Sequence, residues 1–303
     1  MSTVNRAKWL QPLLVMAMVL ALSLSTFSWG AGGHMMVARI AYKRLNPNAK
    51  AQVDSLVKRK IDPAKITARS LDFINASHWA DDLRQEEDFD FLKELHFIDQ
   101  PFTTDDSQLP TDLPGDKTIV SALNDNLQTL KTSTDDDDRA MALRLIIHFV
   151  GDIHQPLHCA TRVTEDLPEG DKGGNLFNIK LRDANDKLKR SNLHSYWDGG
   201  IGSFPKTGAN FAPPSLRKVA AAATKIIQKF PADSEAWHDG GTMGFQQWAT
   251  ESKELAINTA YKNIREQRVP NNRYNQAALR VAERRVAWAG YRLAELLNSI
   301  WPE

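Results

Sequence analysis

The sequence predicts a single, mainly α domain with one short β-hairpin. Apolar residues recur at helical spacing in eight windows, whereas only one segment shows two short strand-like runs around a polar turn. The length of 303 residues, with 42% hydrophobic and 25% charged residues, is ordinary for a globular chain with a sizeable core. A formal net charge of +1 argues against a protein that holds nucleic acid through a broad basic surface. A single cysteine excludes a disulfide framework, a zinc ribbon and a CxxC redox site.

The helical windows cover most of the chain. They lie at 35–45, 49–57, 70–83, 118–130, 140–154, 216–230, 245–267 and 274–300. The last window is the cleanest, because Ala282, Val286, Ala289 and Leu293 continue one apolar stripe. The acidic run 135–138 is expected at a helix start, where the helix dipole favours negative charge.

The remaining segments predict a hairpin and two loops. Runs at 176–181 and 187–189 flank a polar turn and form the predicted hairpin. Segments 100–115 and 161–175 are rich in Pro, Gly and Asp and are expected to be loops. Because no repeat or linker composition interrupts the chain, residues 29–303 are predicted to form one domain.

Residues 1–28 have the features of a secretory signal peptide. Two cationic residues precede an apolar run at 13–22, and small residues stand near position 28. A bilayer span needs about twenty apolar residues, so the run is too short for a transmembrane helix, although an uncleaved anchor is the alternative. Cleavage after Ser28 would make Trp29 the N-terminus. The expected product is secreted or periplasmic and has no membrane association.

The clearest chemical signal is the run AMALRLIIHFVGDIHQPLH. His148 and Asp152 are four residues apart, so both project from one face of a helix that is otherwise apolar. A lone buried histidine is usually a hydrogen-bonded core residue, but a buried carboxylate must be paired or bound to a metal. Pro156 then ends the helix and lets His158 turn back toward the same point.

The same spacing recurs in NLHSYWD, and further histidines and aspartates lie upstream. The combined set is His34, Asp81, His96, His148, Asp152, His158, His194 and Asp198. Imidazole and carboxylate ligands without a thiolate suit zinc, with manganese or iron as alternatives. The set is too large for one tetrahedral ion and predicts two or three sites. Such sites indicate metal-assisted hydrolysis of a phosphate ester.

Six ordered runs resemble the S1/P1 nuclease family. They are WGAGGH at 29–34, WAD at 79–81, LHFID at 95–99, HFVGDIHQPLH at 148–158, GDKGGN at 170–175 and NLHSYWD at 192–198. The similarity continues through QWATES at 247–252 to the terminal LLNSIW, so it covers essentially all of 29–301. It implies a phospholipase C/P1 nuclease-like helical fold and three Zn²⁺ ions.

The resemblance assigns the ligands to three ions. One zinc is held by Asp81, His96, His148 and Asp152, and a second by His158, His194 and Asp198. The third is held by His34, by Asp152 as a bridge, and by the amino group and carbonyl of Trp29. Signal cleavage thereby becomes part of the chemistry, because an amide nitrogen after Ser28 cannot act as an amine ligand.

The resemblance also implies the reaction. A monomeric enzyme would hydrolyse single-stranded DNA and RNA to 5′-nucleotides through a zinc-activated hydroxide, with 3′-nucleotidase activity on 3′-nucleotides. The implied catalytic residues are Asp81, Arg84 and Asp152, and the implied substrate-binding residues are Phe97, Asp99, Gly173, Gly174 and Asn175. Without the resemblance, an ordinary surface arginine would be the favoured interpretation of Arg84, and an ordinary core residue is an equally good interpretation of Phe97.

Two other functions stay open at this point. A zinc-dependent phospholipase C would share the fold and the three-ion site, but the short gap from Trp29 to His34 and the final His194-xxx-Asp198 pair favour the nuclease. A non-catalytic zinc-binding protein would not need Arg84. Cys159 is expected to be a buried small residue and His154 a structural one. Neither His78 nor His238 is assigned a role, and the near-neutral charge predicts modest salt sensitivity.

Overall fold

The computed structural model describes residues 29–61, 70–83, 86–208, 212–233 and 244–303. The predicted signal peptide 1–28, Arg84 and His238 lie outside these residues. Within the described ranges, no helix combines the length and the apolar character needed to cross a membrane.

Ten α-helices in the described residues carry most of the structure. They are α1 (Ala31–Tyr42), α2 (Pro47–Leu56), α3 (Phe73–Ala76), α4 (Trp79–Leu83), α5 (Ile119–Thr132), α6 (Asp136–Ile153), α7 (Leu193–Asp198), α8 (Leu216–Lys229), α9 (Phe245–Leu255) and α10 (Asn272–Ile300). Two 3₁₀-helices, Glu87–His96 and Pro156–Cys159, and a π-helical turn, Ala256–Ala260, accompany them. The predicted mainly α class is confirmed.

The strands form two small sheets. They are β1 (Pro101–Thr103), β2 (Thr161–Val163), β3 (Asn178–Arg182) and β4 (Leu188–Asn192). The antiparallel β3–β4 pair is the predicted hairpin, although its second strand extends beyond residue 189. The parallel β1–β2 pair lies within the two segments predicted to be loops, and that prediction was wrong for these residues. Each strand has only three residues, too few to show an alternating pattern.

Helix α6 lies at the centre of the core. Every residue from Ala142 to Ile153 is buried, and the helix packs on α5, α1, α2 and α10. Its start is capped by Asp135, whose side chain accepts a hydrogen bond from the Asp137 N–H, as the acidic run predicts. Because α6 is surrounded on all sides, its polar residues point into the protein interior.

Two predicted helical windows are interrupted. Window 70–83 divides into α3 and α4, because the Ser77 hydroxyl donates to the Ile74 carbonyl at 2.6 Å at the end of α3. Side-chain hydrogen bonds of this kind compete with the helical ladder. Window 245–267 is α-helical only to Leu255 and then widens into the π-helical turn.

Candidate metal centre and adjoining pockets

The first cluster of possible metal ligands consists of Asp81, His96 and His148. His148 comes from the middle of α6, Asp81 from α4, and His96 from the end of the 3₁₀-helix before β1. Nε2 of His148 lies 3.0 Å from Nδ1 of His96 and 3.6 Å from Oδ1 of Asp81. Both rings are buried, whereas the Asp81 side chain is 9% exposed. Asp81 is therefore the member of this cluster that lies nearest to solvent.

A second cluster consists of His34, His148 and Asp152. The His34 ring, on α1, stacks on the His148 ring with centroids 4.1 Å apart. Its Nε2 lies 3.3 Å from Oδ1 of Asp152, while Oδ2 of Asp152 lies 3.0 Å from both His148 Nε2 and His96 Nδ1. Asp152 therefore touches the first and the second cluster with different oxygens, as expected of a bridging carboxylate.

The third cluster consists of His158, His194 and Asp198. His158 follows Pro156 in the short 3₁₀-helix, and α7 supplies the other two residues one turn apart. The carboxylate oxygens of Asp198 lie 3.9 Å from His158 Nε2 and 3.6 Å from His194 Nε2. Gln155 donates to Oδ1 of Asp198 at 2.8 Å and fixes this carboxylate.

Three of the histidine rings are oriented by backbone carbonyls. Nδ1 of His148, His158 and His194 lies 2.7, 2.8 and 2.7 Å from a carbonyl oxygen, that of Ser77, His96 and Gly173 respectively. A proton on Nδ1 leaves the Nε2 lone pair of a neutral ring directed into its cluster. This arrangement is typical of histidines that bind metal.

His34 and His148, which stack on each other, have pKa values shifted in opposite directions. Burial, followed by the neighbouring His148, holds the pKa of His34 well below its usual value. Burial alone would also lower the pKa of His148, but Asp152 and Asp81 together raise it to about 9. The interior thus favours a cation next to Asp152, which can be a proton on His148 or a metal ion.

The donor sets fit zinc. The donor atoms of each cluster lie within 4.8 Å of one another. A tetrahedral zinc ion with bonds of about 2.1 Å separates its ligand atoms by about 3.4 Å. The contacts between cluster atoms, from 3.0 to 3.9 Å, bracket that separation. All eight predicted His and Asp residues therefore converge in three groups. The group of His158, His194 and Asp198 matches a predicted ligand set. The other two groups differ from the predicted sets, because His148 belongs to both of them, Asp152 lies with His34 and not in the group of Asp81 and His96, and Trp29 is in neither.

Trp29 lies beside the third cluster. Its side chain is fully buried against Phe204, and the next residue, Gly30, donates its N–H to the Asp198 carbonyl at 3.0 Å. The backbone at Trp29 is thus fixed next to a residue of the centre.

A pocket of about 250 Å³ adjoins the third cluster. Its lining residues are Phe97, Asp99, Leu157, His158, Lys172, Gly173, Asn175 and His194. Phe97 is only half-buried, so it is a pocket wall and not a core residue. Gly173 has φ +59°, and a Cβ there would lie 2.2 Å from the Leu157 carbonyl oxygen, so only glycine fits. The N–H of Gly174, which is also predicted to bind substrate, donates to Oδ1 of Asp171 at 3.0 Å.

Comparison with known proteins now identifies the family. The family model described as S1/P1 Nuclease matches residues 29–302. The chain belongs to the S1/P1 nuclease family. It is accordingly an endonuclease, a hydrolase that acts on phosphodiester bonds.

Several relatives of this S1/P1 nuclease match along nearly their whole length. Endonuclease 4 of Arabidopsis thaliana is 26% identical and aligns with 97% of this chain and 95% of its own. Nuclease S1 of Aspergillus oryzae is 27% identical, with coverage of 94% and 96%. Nuclease P1 of Penicillium citrinum is 24% identical, with coverage of 90% and 97%. These relatives favour the nuclease over the phospholipase C alternative.

The sequence interpretation missed one pair at the centre of this nuclease. His78 was given no partner, yet His78 and Asp82 show the four-residue spacing of the other pairs, and His78 Nδ1 lies 3.0 Å from Asp82 Oδ2. Both residues line a second pocket, of about 260 Å³, together with Asp81 and Asp198. The repeated spacing was the signal that could have identified them.

Two further predictions concern residues near the centre. Cys159 is a buried free thiol whose sulfur lies 3.4 Å from the Ile153 carbonyl oxygen, and burial raises its pKa to about 12. It is thus the small buried residue that was expected. His154 is buried as well, with Nδ1 2.8 Å from the Val150 carbonyl oxygen and Nε2 facing Arg292 at 2.9 Å, which suits a structural role.

A close contact under His34 gives a first testable prediction. A Cβ at Gly151 would lie 2.6 Å from His34 Nδ1, so Gly151→Ala is expected to displace the His34 ring. Nuclease activity should fall about 10- to 100-fold, as for other losses of ligand positioning. Gly115→Ala is the control, because a Cβ there meets nothing within 4 Å. Equal activities of the two variants would contradict this role of Gly151.

Proposed function

We propose that this nuclease hydrolyses single-stranded DNA and RNA to 5′-nucleotides, removes the phosphate of 3′-nucleotides, and uses three zinc ions. The observation that carries the proposal is the convergence of three buried His/Asp clusters beside a pocket with an aromatic wall and a carboxyl group. Such a pocket fits one unpaired base, which only a single strand presents freely.

The proposed ligand assignment is the one that the family resemblance implies, and the three clusters support it by bringing these side chains together. One ion, at the first cluster, would be held by Asp81, His96, His148 and Asp152. Another, at the third cluster, would be held by His158, His194 and Asp198. The remaining ion, at the second cluster, would be held by His34, Asp152 and the amino and carbonyl groups of Trp29. When bound, zinc ions lower the pKa of a water molecule and stabilise negative charge on phosphate oxygens.

The protein side chains preorganise this chemistry. The carbonyl groups behind His148, His158 and His194 hold the rings in one orientation and one tautomer. Gln155 holds Asp198, so the carboxylate does not need to reorient during the reaction. Asp81 and Asp198 lie on the wall of the 260 Å³ pocket, and His158 and His194 on that of the 250 Å³ pocket. A strand crossing between the two pockets would place its phosphate over the clusters.

Arg84 completes the proposed catalytic set. It stands three residues after Asp81, and the family resemblance assigns it the role of stabilising the charged transition state. Electrostatic stabilisation by a single donor is commonly worth about 100- to 1000-fold in kcat. Arg84→Ala should therefore lose activity mainly through kcat.

The 250 Å³ pocket, which we propose binds a base, contains a carboxyl group, that of Asp99, which should make substrate binding depend on pH. Burial, and next the nearby Asp171, raise the pKa of Asp99 to about 6. Below this pH the carboxyl group is neutral and accepts poorly from a base N–H; above it, the carboxylate accepts well. KM for a 3′-nucleotide should thus fall about tenfold as the pH rises through 6, the worth of one hydrogen bond to a charged group.

The test is the pH profile of KM for wild type and Asp99→Asn. An abasic 3′-phosphate serves as the reference substrate, because its profile retains every titration of the metal centre but not that of base recognition. The ratio of the two KM values should change through pH 6 in wild type only. A ratio with the same pH dependence in both proteins would contradict base recognition by Asp99.

We further propose that residues 1–28 are removed during export and that the mature enzyme is secreted or periplasmic. The support is the signal-peptide pattern together with the buried position of Trp29 beside the centre. A free amino group at Trp29 requires cleavage after Ser28.

The overall activity is tested with a substrate panel. The protein beginning at Trp29 is incubated with RNA, single-stranded DNA, 3′-AMP and phosphatidylcholine, with and without a chelator. We expect 5′-nucleotides from both polymers and adenosine from 3′-AMP, all abolished by the chelator. Release of choline phosphate with no cleavage of nucleic acid would contradict the proposal.

A further inference from the structure

The near-zero net charge conceals a strongly basic surface. The hairpin β3–β4 and the segment 261–273, together called the basic strip here, contain nine cations and three acids. The cations are Lys180, Arg182, Lys187, Lys189, Arg190, Lys262, Arg265, Arg268 and Arg273. All are exposed except Lys180, which is half-buried. Charge distribution, and not net charge, therefore describes this face of the molecule.

The two parts of the strip form one continuous surface. The Lys180 N–H donates to the Arg268 carbonyl at 3.1 Å, and the Gln267 N–H donates to the Asn178 carbonyl at 2.8 Å. One end of the strip also contacts the segment that lines the 250 Å³ pocket. The hydroxyl of Tyr261 donates to Asp171 at 2.9 Å, one residue before the pocket residue Lys172.

Most cations of the strip are not neutralised within the protein. Each of its three acids already has an ion-pair partner: Asp183 with Lys189, Asp186 with Arg182, and Glu266 with Arg162. Among the residues that the structure describes, no ion pair is found for Lys180, Lys187, Arg190, Lys262, Arg265, Arg268 or Arg273.

The hairpin even places two like charges opposite each other. Lys180 on β3 is the direct cross-strand neighbour of Arg190 on β4. Like charges in this position destabilise a sheet, so the pair contributes nothing favourable to folding by itself. A polyanion bound at this pair would attract both side chains and so offset their mutual repulsion.

Apolar side chains lie among these cations. Six large hydrophobic residues are exposed within the described ranges. Leu188 and Val269 belong to the strip, and Leu176 lies two residues before it. A single strand presents phosphates together with unpaired bases, and it can contact charged and apolar groups at once. A duplex would offer its phosphates but not its base faces.

We propose that the basic strip binds the phosphates of a single strand beyond the nucleotide held in the pocket. This inference rests on the proposed function and extends it from the scissile nucleotide to the length of the substrate. Long substrates should consequently bind with a strong dependence on salt, whereas the modest salt dependence expected from net charge should hold for dinucleotides. Cleavage of long strands should be favoured over cleavage of short ones at low ionic strength.

The test compares two variants with the same loss of charge. Lys180→Gln/Arg190→Gln/Arg268→Gln removes cations of the strip, and Arg217→Gln/Lys218→Gln/Lys225→Gln removes three exposed cations of α8. For each protein, kcat/KM is measured against salt concentration on a 20-nucleotide single-stranded DNA and on a dinucleotide. Each phosphate contact contributes about 0.7 to the slope of log affinity against log salt for a single strand.

The strip variant should lose about tenfold in kcat/KM on the 20-nucleotide strand at low salt, with a slope about 2 units shallower. Its dinucleotide activity should stay within about twofold of wild type, and the α8 variant should match wild type on both substrates. A strip variant that behaves like the α8 variant, or that loses both activities equally, would overturn the proposal. The proposal would also be overturned if the strip bound phosphatidylserine vesicles while both variants cleaved the 20-nucleotide strand with the kcat/KM of wild type. A wild type inactive on both nucleic acids would overturn the proposed function itself.

Discussion

Replacing Asp152 with asparagine is expected to lower kcat/KM on single-stranded DNA about a thousandfold or more. Oδ1 of this buried carboxylate contacts His34, and Oδ2 contacts His96 and His148. The neutral amide has one oxygen, and its NH₂ group would face ring nitrogens that otherwise point their lone pairs at a cation. The substitution should thus weaken two metal sites at once, which removes more than a single-ligand change.

The measurement is kcat/KM together with zinc content after dialysis. Asp138→Asn is the matched control, because Asp138 is an exposed carboxylate near the start of the same helix. The control should retain wild-type activity and metal. Retention of full activity and full zinc by Asp152→Asn would show that this carboxylate does not bridge two ions.

A single added residue at the N-terminus is expected to be almost as damaging. A protein that begins at Ser28 presents an amide nitrogen at Trp29, and an amide cannot replace an amine as a ligand. Trp29 is fully buried and its neighbour Gly30 is hydrogen-bonded to Asp198, so the chain has little freedom to adjust. We expect two zinc ions per chain and a loss of activity of about 100-fold or more.

The comparison requires three proteins that differ by one serine. The first spans 29–303, the second carries Ser28, and the third spans 29–303 with a serine added after Glu303, which is exposed. Only the second should lose metal and activity. Equal activity of the first and second proteins would separate signal cleavage from the chemistry and remove Trp29 from the ligand set.

Much of the fold could be predicted because helical periodicity is a local signal. The long α10 and the buried α6 were both identified from their apolar pattern, and Asp135 marks the start of α6. The β1–β2 pair could not be predicted, because three residues carry no pattern and a parallel pairing depends on contacts distant in sequence. The break after Ala76, where α3 ends, lies at Ser77, whose hydroxyl bonds the Ile74 carbonyl, and one hydroxyl leaves no periodic signal in the sequence.

The centre was more predictable than its surroundings. Two His-xxx-Asp pairs and the ordered family motifs identified all eight side chains that converge. His78 and Asp82 show the same spacing but no family motif, so they were passed over. The basic strip could not be found from net charge, because its cations are offset by acids elsewhere and come together only when the 261–273 segment pairs with β3.

Anomalous diffraction at the zinc absorption edge, from crystals of the protein beginning at Trp29, tests the three-ion centre most directly. Three peaks are expected, each within bonding distance of one cluster, with Asp152 shared between two of them. Crystals of active enzyme with no peak at these clusters, or with peaks only at surface residues, would contradict it.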